Sequence, residues 1–557
     1  MAADELVFVP LGGVGEIGMN LGLYGFGHGR SRKWLAVDMG VAFGHEEVLP
    51  GVDAVLPDIS FLLERKSDLV GIAITHAHED HYGALFDFWP KLEAPVFMTP
   101  FAAALLEAKR AGEPNAAKIA VKVIKQGARV SAGPFDIEYV PVSHSIPEPN
   151  ALAIRTPLGT VFHTGDWKLD PAPGIGRATD SDRIAAIGEE GVLALISDST
   201  NAIRDGISPS ESEVARVLER LIAEAPHRVA VTTFASNVSR IRAVAEAAQR
   251  AGREVVVVGR AIRRASDVAR AFGYLDGLPE FLDQDVYSNL PRNKVVALMT
   301  GSQGEPRAAL AKVAAKDHRA LSLAPGDRVI FSSRTIPGNE RAVNTIINAL
   351  VDFGAEVITD RDGLVHTSGH PRRDELRQLY DWLKPTIVVP VHGEALHLHE
   401  QAKLARAVGI PQVVEARNGD TIRLAPGPAE RLDRVSHGRL YRDGKLLVSH
   451  AASGVVDRKR LGFAGIVSIA IVLSDSGAVL EDPTVALLGL PEADADGELL
   501  RGIVEEAVDD ALDGLSKAKR RDGEAVRQAV RRTVRGELDT AWGKKPQTIV
   551  HVTHVSD

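Results

Sequence analysis

The chain has 557 residues, too many for one ordinary domain and enough for three or four at ~150 residues each. Hydrophobic residues at 45% and charged residues at 25% exclude large-scale disorder, and 0 Cys excludes disulfides and thiolate metal sites and fits a reducing compartment. A net charge of −9 argues against a surface that coats nucleic acid indiscriminately, yet leaves room for a local basic groove or a metal cleft that holds phosphate, so the partner class must come from a site.

The N-terminus, MAADELVFVPLGG, lacks a basic start and runs at once into a strand pattern, so no signal peptide is expected. No apolar run approaches the ~20 residues that span a bilayer; 466–473 reads as a buried strand, and a cytoplasmic protein with no membrane partner is expected. GVGEIG at 13–18 matches the GxGxxG pattern after a strand over 6–9, with Asp38 at about the distance of a ribose-binding acid. That fingerprint needs a helix opening at the glycines, and Gly22, Gly25 and Gly27 weaken one. A tight turn between two strands is therefore expected, with Asp38 at the end of a strand over 35–37.

The next stretch, THAHEDHYGAL at 75–85, carries four potential metal ligands between a β-branched run at 69–74 and a helix beginning near Gly83. Alternate side chains of an extended segment share a face, so His76 and His78 can reach one ion, while Asp80 and His81 fall past the bend toward a second. This mixed N/O ligation suits zinc or manganese with water positions left open. A polar loop with chance histidines is the plainer alternative, but three more candidates close separate strand-like runs: His144 after 135–142, Asp166 after 160–162 and His392 after 386–391. His163 should point to the opposite sheet face from Asp166 and serve structure. Another polar strand end, Ser197-Asp198-Ser199-Thr200, follows the run 193–196.

From about Gly206 helices and strands alternate: a helix from Glu211 capped by Ser210, strands over 229–233, 254–258, 294–299 and 328–331, and helices from Val238, Ala261, Pro306 and Asn339. That predicts a second, parallel α/β domain over 206–345 that interrupts the first, since His392 lies beyond it. Ser236-Asn237 and Ser302-Gln303-Gly304 precede two of these helices, where they either offer free N–H groups to a phosphate or simply cap. HTSGH at 366–370 joins His366, Thr367, Ser368, Gly369 and His370, combining imidazoles, hydroxyls and a glycine that lets backbone N–H groups approach an anion; a polar turn is the alternative. The first domain resumes over 346–430, a linker covers 431–453, and a small α/β unit fills 454–557. Its stretch 518–535 is basic, either a solvated helix face or an RNA contact.

HxHxDH followed by a distant His, Asp and His resembles the metallo-β-lactamase superfamily, which implies an α/β fold: an αββα sandwich with metals on one rim. The insertion resembles the β-CASP branch, whose members act on nucleic acids. Within it the chain is similar to the bacterial ribonuclease J family, through PLGGVGEIGMN (10–20), LPGVD (49–53), THAHEDHYGAL, FASNVSR (234–240), TGSQGEP (300–306), HTSGH and PVHGE (390–394). The resemblance implies that His76, His78 and His144 hold one metal, Asp80, His81 and His392 the other, and that Asp166 bridges. It implies two divalent cations, Zn2+ first with Mn2+ or Mg2+ as alternatives, His370 as general acid and Asp198 as the carboxylate that orients it. It further implies a 5′-monophosphate site at Ser236 and Asn237, RNA as substrate, 5′ to 3′ exonuclease with some endonuclease activity in mRNA turnover and rRNA maturation, contacts with RNA-degradation or ribosome-associated proteins, and self-association through the C-terminal unit as a homodimer or homotetramer.

Paired metals that activate water and clamp both oxygens of an in-line displacement suit phosphodiester hydrolysis, though they would also polarise a thiol ester or lactone. Diiron flavoproteins of similar fold usually carry Glu where His78 stands, small-molecule hydrolases leave 206–344 unexplained, and a nonenzymatic subunit sits poorly with a full ligand set.

Overall fold

The computed structural model describes residues 3–44, 48–113, 115–336 and 338–556. They divide into two units, one of 1–43 with 54–440 and one of 44–53 with 441–557.

The first unit is built on two facing sheets. Strands Glu5–Gly12, Leu21–Gly27 and Lys33–Val37 pair antiparallel in sequence, and Leu69–Ala73, Val96–Met98 and Val121–Val123 extend the sheet in parallel. Asp420–Ala425 returns from far along the chain to pair with the first strand. The second sheet has seven strands, with Phe135–Pro141, Asn150–Thr156, Gly159–His163, Ala194–Asp198 and Ile387–Val391 at its centre. Period-two alternation sends Phe8, Tyr24, Leu35 and Val37 of one sheet against Ile137, Leu152, Val161 and Ile196 of the other in a single apolar layer. The opposite residues of the second sheet, among them Phe162, Leu195 and Val388, meet helices Ser181–Glu190, Arg373–Leu383 and Ala395–Ala407. On the outer face of the first sheet Trp34 packs edge-on against Phe61 of the short helix Ser60–Leu63. The result is the expected four-layer αββα sandwich.

The glycine-rich segment after the first strand is a turn between antiparallel strands, so no helix opens there and the dinucleotide reading is excluded. The turn also braces the far end of the chain: Gly13 O accepts from His392 N at 2.7 Å, Gly15 N donates to Gly393 O at 3.0 Å, and Gly393 N donates to Glu16 O at 3.1 Å.

The inserted domain is a six-stranded parallel sheet. Its entering helix Glu211–Glu224 starts at a capping box in which Ser210 and Glu213 satisfy each other's backbone N–H groups. Leu282–Asp283 and Glu356–Ile358 form its edges, so the sheet runs past 345; that boundary cuts helix Glu340–Asp352, whose Val343, Ile346 and Leu350 belong to the inserted core. The helix expected from Pro306 begins at Ala309, because 302–308 is a turn whose Gln303 amide bonds Arg334 O and Ile336 N.

The second unit contains strands Ile466–Ser474, Thr484–Leu488 and Gln547–Val555 against helices Leu500–Asp513 and Gly523–Trp542, with a core of Val467, Ile469, Val504, Val530 and Val534. The expected linker is not featureless: it holds strands Arg439–Asp443 and Leu446–Ser449. The basic stretch is two helices rather than one, since Asp522 caps Gly523–Trp542 after the short Lys517–Arg520. Among the described residues no helix is long and apolar enough to cross a membrane.

Candidate metal centre

Strand ends and the turns beyond them deliver every expected ligand to one rim. His76 and His78 follow Leu69–Ala73, His144 follows Phe135–Pro141, Asp166 follows Gly159–His163 and His392 follows Ile387–Val391, while Asp80 and His81 ride the one-turn helix Glu79–Tyr82. They fall into two groups, His76, His78, His144 and Asp166, and Asp80, His81, Asp166 and His392, each presenting ligand atoms within 4.8 Å of one another.

In the first group His76 Nε2 lies 3.1 Å from His78 Nδ1, and His144 Nε2 lies 3.0 Å from the same atom. Nitrogens sharing one tetrahedral cation at ~2.0–2.1 Å stand about 3.3 Å apart, so the spacing fits an ion. Asp166 Oδ2 is 3.8 Å from His76 Nε2, 3.7 Å from His144 Nε2 and 3.2 Å from His81 Nε2, which sets it between the groups. His81 Nε2 is 3.5 Å from Asp80 Oδ2, and His392 Nε2 is 3.8 Å from it. Asp166 Oδ1 and His392 Nδ1 are buried 3.1 Å apart without meeting hydrogen-bond geometry, a spacing that two ligands of one cation would share.

Electrostatics separate the two groups. Burial, helped by the neighbouring imidazoles, holds His76 and His144 well below the usual histidine range and brings His78 down to about 4, so these three are neutral and ready to ligate. In the second group burial opposes the charges but loses: the Asp166, Asp80 and Asp38 carboxylates hold His81 up, Asp166 holds His392 up, and His81 and His392 in turn keep Asp80 and Asp166 low.

Three residues that sequence reasoning did not assign to the site orient it. Asp38 is buried at φ 63° and accepts from His81 Nδ1 at 2.7 Å, Thr75 N at 2.8 Å and Thr75 Oγ1 at 2.9 Å. Thr75 Oγ1 accepts from His76 Nδ1 at 3.0 Å, so one carboxylate fixes two imidazoles with Nε2 facing inward. Asn20 Nδ2 donates to Asp80 O at 3.0 Å. A polar residue at a strand end was the one signal available for Asp38. His163 hydrogen-bonds Tyr24 at 2.8 Å and joins neither group.

The 366–370 loop arrives beside these two groups. His370 Nδ1 donates to Asp198 Oδ2 at 2.8 Å, and Asp198, fully buried, also accepts from Thr200 N at 2.9 Å. Burial pulls the His370 imidazole down, but the Asp198 and Asp166 carboxylates outweigh it and push it up to about 9. With Asp166 the pair also forms a third group of close ligand atoms. Gly369 packs against His144: its carbonyl accepts from His144 Nδ1 at 2.7 Å, and a Cβ there would lie 2.4 Å from that nitrogen. Thr367 Oγ1 donates to Pro209 O and Ser368 Oγ accepts from Asn201 Nδ2, so both hydroxyls shape the loop. His366 is kept neutral by burial and by the Arg240 and Arg334 cations, and its Nδ1 has no partner. Asn237 caps helix Val238–Arg250 by accepting from Arg240 N at 2.9 Å, and Ser236 is half-buried before it; neither is hydrogen-bonded to the 366–370 loop.

A two-sheet sandwich with histidine and aspartate groups paired on its rim, interrupted by a parallel α/β domain, defines a metallo-β-lactamase-type hydrolase of the β-CASP branch. The chain matches "Beta-lactamase superfamily domain" over 50–185, "Ribonuclease J, beta-CASP domain" over 226–350, "Zn-dependent metallo-hydrolase RNA specificity domain" over 354–415 and "Ribonuclease J C-terminal domain" over 454–555. It is 55% identical to Ribonuclease J of Sinorhizobium meliloti, covering 100% of this chain and 98% of that one, and 36% identical to Ribonuclease J of Thermus thermophilus, covering 98% and 95%. A crystal structure of a protein of unknown function from Enterococcus faecalis shares the fold, with a TM-score of 0.52 at 16% identity over 75% of this chain and 100% of that one. The chain belongs to the ribonuclease J family and is a metal-dependent ribonuclease.

Proposed function

We propose that this ribonuclease degrades RNA 5′ to 3′ from a 5′-monophosphate, with some endonucleolytic cleavage, using two divalent cations, Zn2+ first and Mn2+ or Mg2+ as alternatives. The observation that carries the reading is the convergence of two ligand groups on Asp166 with the His370–Asp198 pair alongside. Bound there, the cations supply Lewis acidity toward phosphoryl oxygens and a water activated at neutral pH. The chain's own part is to hold and to donate. The buried neutral imidazoles of His76, His78 and His144 ligate without first losing protons, and Asp38 and Gly369 O keep His81 and His144 aimed. Asp198 engages Nδ1 of His370, leaving Nε2 to carry the proton that the leaving oxygen takes, a contribution of ~10²–10⁴ in rate.

The 5′-end preference rests on the family resemblance of the motifs at Ser236, Asn237 and 366–370. By the same resemblance the enzyme acts in the cytoplasm in mRNA turnover and rRNA maturation, as a homodimer or homotetramer joined through 454–557. Digestion of one RNA carrying 5′-monophosphate, 5′-triphosphate or 5′-hydroxyl, with product lengths resolved, tests the reading. Mononucleotides from the monophosphate substrate support it; internal fragments from all three alike would refute the exonuclease assignment.

A further inference from the structure

We propose that Arg240, inside the inserted domain, is a positioning residue for His370: it grips the start of the 365–370 loop and so ties the seating of the inserted domain to the placement of the imidazole. This rests on the reading of His370 as the general acid.

Arg240 lies on helix Val238–Arg250 and is fully buried. Its Nη2 donates to Glu211 Oε2 at 2.9 Å, and its Nη1 donates to Ser332 O at 2.9 Å, Ser332 Oγ at 2.6 Å and Val365 O at 3.0 Å. Ser332 Oγ donates to the same Val365 carbonyl at 2.7 Å. The planar guanidinium thus joins the first helix of the insertion, the end of its strand Arg328–Phe331 and the residue before His366, a span that a single ammonium cannot cover. Its Nε has no partner, so this deeply buried charge depends on the bonds that Nη1 and Nη2 make, and these fix the geometry of Glu211, Ser332 and Val365 together.

The rest of the loop is held from elsewhere. Thr367 Oγ1 donates to Pro209 O at 2.8 Å, Ser208 Oγ donates to His370 O at 2.9 Å, and Asp198 takes His370 Nδ1. Glu211 closes the circuit on the metal-site side, because its N–H donates to Asp170 Oδ2 at 2.9 Å and that carboxylate pairs with the buried Lys168 at 2.9 Å. The Val365 end is thus clamped by the inserted domain, whereas the His370 end is also held by Asp198 and Asn201 of the sandwich. Releasing the Val365 end lets the His370 end drift, and misplacement of a reacting group by ~1 Å costs about a hundredfold in rate.

The test uses Arg240→Lys and Ser332→Ala in the full chain, alone and each combined with His370→Ala. Arg240→Lys keeps a cation against Glu211 but loses the bridge; Ser332→Ala deletes one hydroxyl and serves if the lysine variant folds poorly. The expected result is a single-turnover rate at saturating RNA about tenfold or more below the parent, with RNA affinity and bound metal unchanged and with faster amide exchange confined to 365–370. In the His370→Ala background either substitution should slow cleavage little further, since both act through the same imidazole. An equal slowing in both backgrounds, or full rate with unchanged exchange, overturns the proposal. His370→Ala alone reports on the acid reading: full activity or loss of a metal equivalent refutes that reading, while the exchange of 365–370 still decides whether Arg240 holds the loop.

Discussion

Gly369→Ala isolates the packing of the 366–370 loop on His144. A Cβ at this position would stand 2.4 Å from His144 Nδ1, 2.5 Å from His144 Cε1 and 3.2 Å from Ser145 Oγ. Carbon contacts are comfortable near ~3.5 Å, so the imidazole or the loop must move by about 1 Å. The backbone at Gly369 lies outside the left-handed region, so alanine is conformationally allowed and the penalty is the clash itself. A ligand position tolerates only ~0.2 Å, and loss of an orienting partner weakens metal binding about 10–100-fold. His370 is the next residue and is displaced with the loop, so RNA cleavage should fall by roughly 10²-fold. Elemental analysis after dialysis, cleavage of a 5′-monophosphorylated RNA and a thermal melt to verify folding make the assay. Full metal content and parental activity in a folded Gly369→Ala protein would refute the close approach on which the account of His144 depends.

His370→Ala should keep both metals and bind RNA nearly as well while the chemical step slows ~10²–10⁴-fold; Asp198→Asn should act in the same direction more weakly, and the double variant should be little worse than His370→Ala. Loss of one metal equivalent would instead make His370 a ligand, as its close group with Asp166 and Asp198 allows. Asp38→Asn puts an amide where His81 Nδ1 donates, turns the tautomer and aims a proton at the metal position, so metal affinity should drop about 10–100-fold and excess metal should restore part of the activity; unchanged affinity would mean that Asp38 does not orient His81. Ending the chain before Gly454 should lower the mass seen by light scattering, and an unchanged oligomer would remove that role from the C-terminal unit.

The residues of the two clusters were legible as candidates because their signals are local: four sit within one short loop, and the others close apolar strand runs whose ends reach one rim. The parallel inserted domain was legible from the alternation of helix caps and β-branched runs. What escaped depends on contacts between distant segments. Asp38 orients His81 because the strand Lys33–Val37 pairs in parallel with Leu69–Ala73, and the chain then turns at a positive φ that no pattern announces. The glycine turn was recognised as a turn, yet its grip on His392 joins residues nearly the whole sandwich apart in sequence. The close approach of Gly369 to His144 joins segments more than 200 residues apart and has no local signal. The edge strand Glu356–Ile358 was missed because three half-exposed residues carry too little periodicity.

The most direct test of the central claim is metal content measured beside RNA cleavage in the wild type and in His76→Ala. The account predicts two divalent cations per chain in the active wild-type protein, and in the folded variant a fall in metal together with loss of hydrolysis. Full activity in a metal-depleted His76→Ala protein would contradict it.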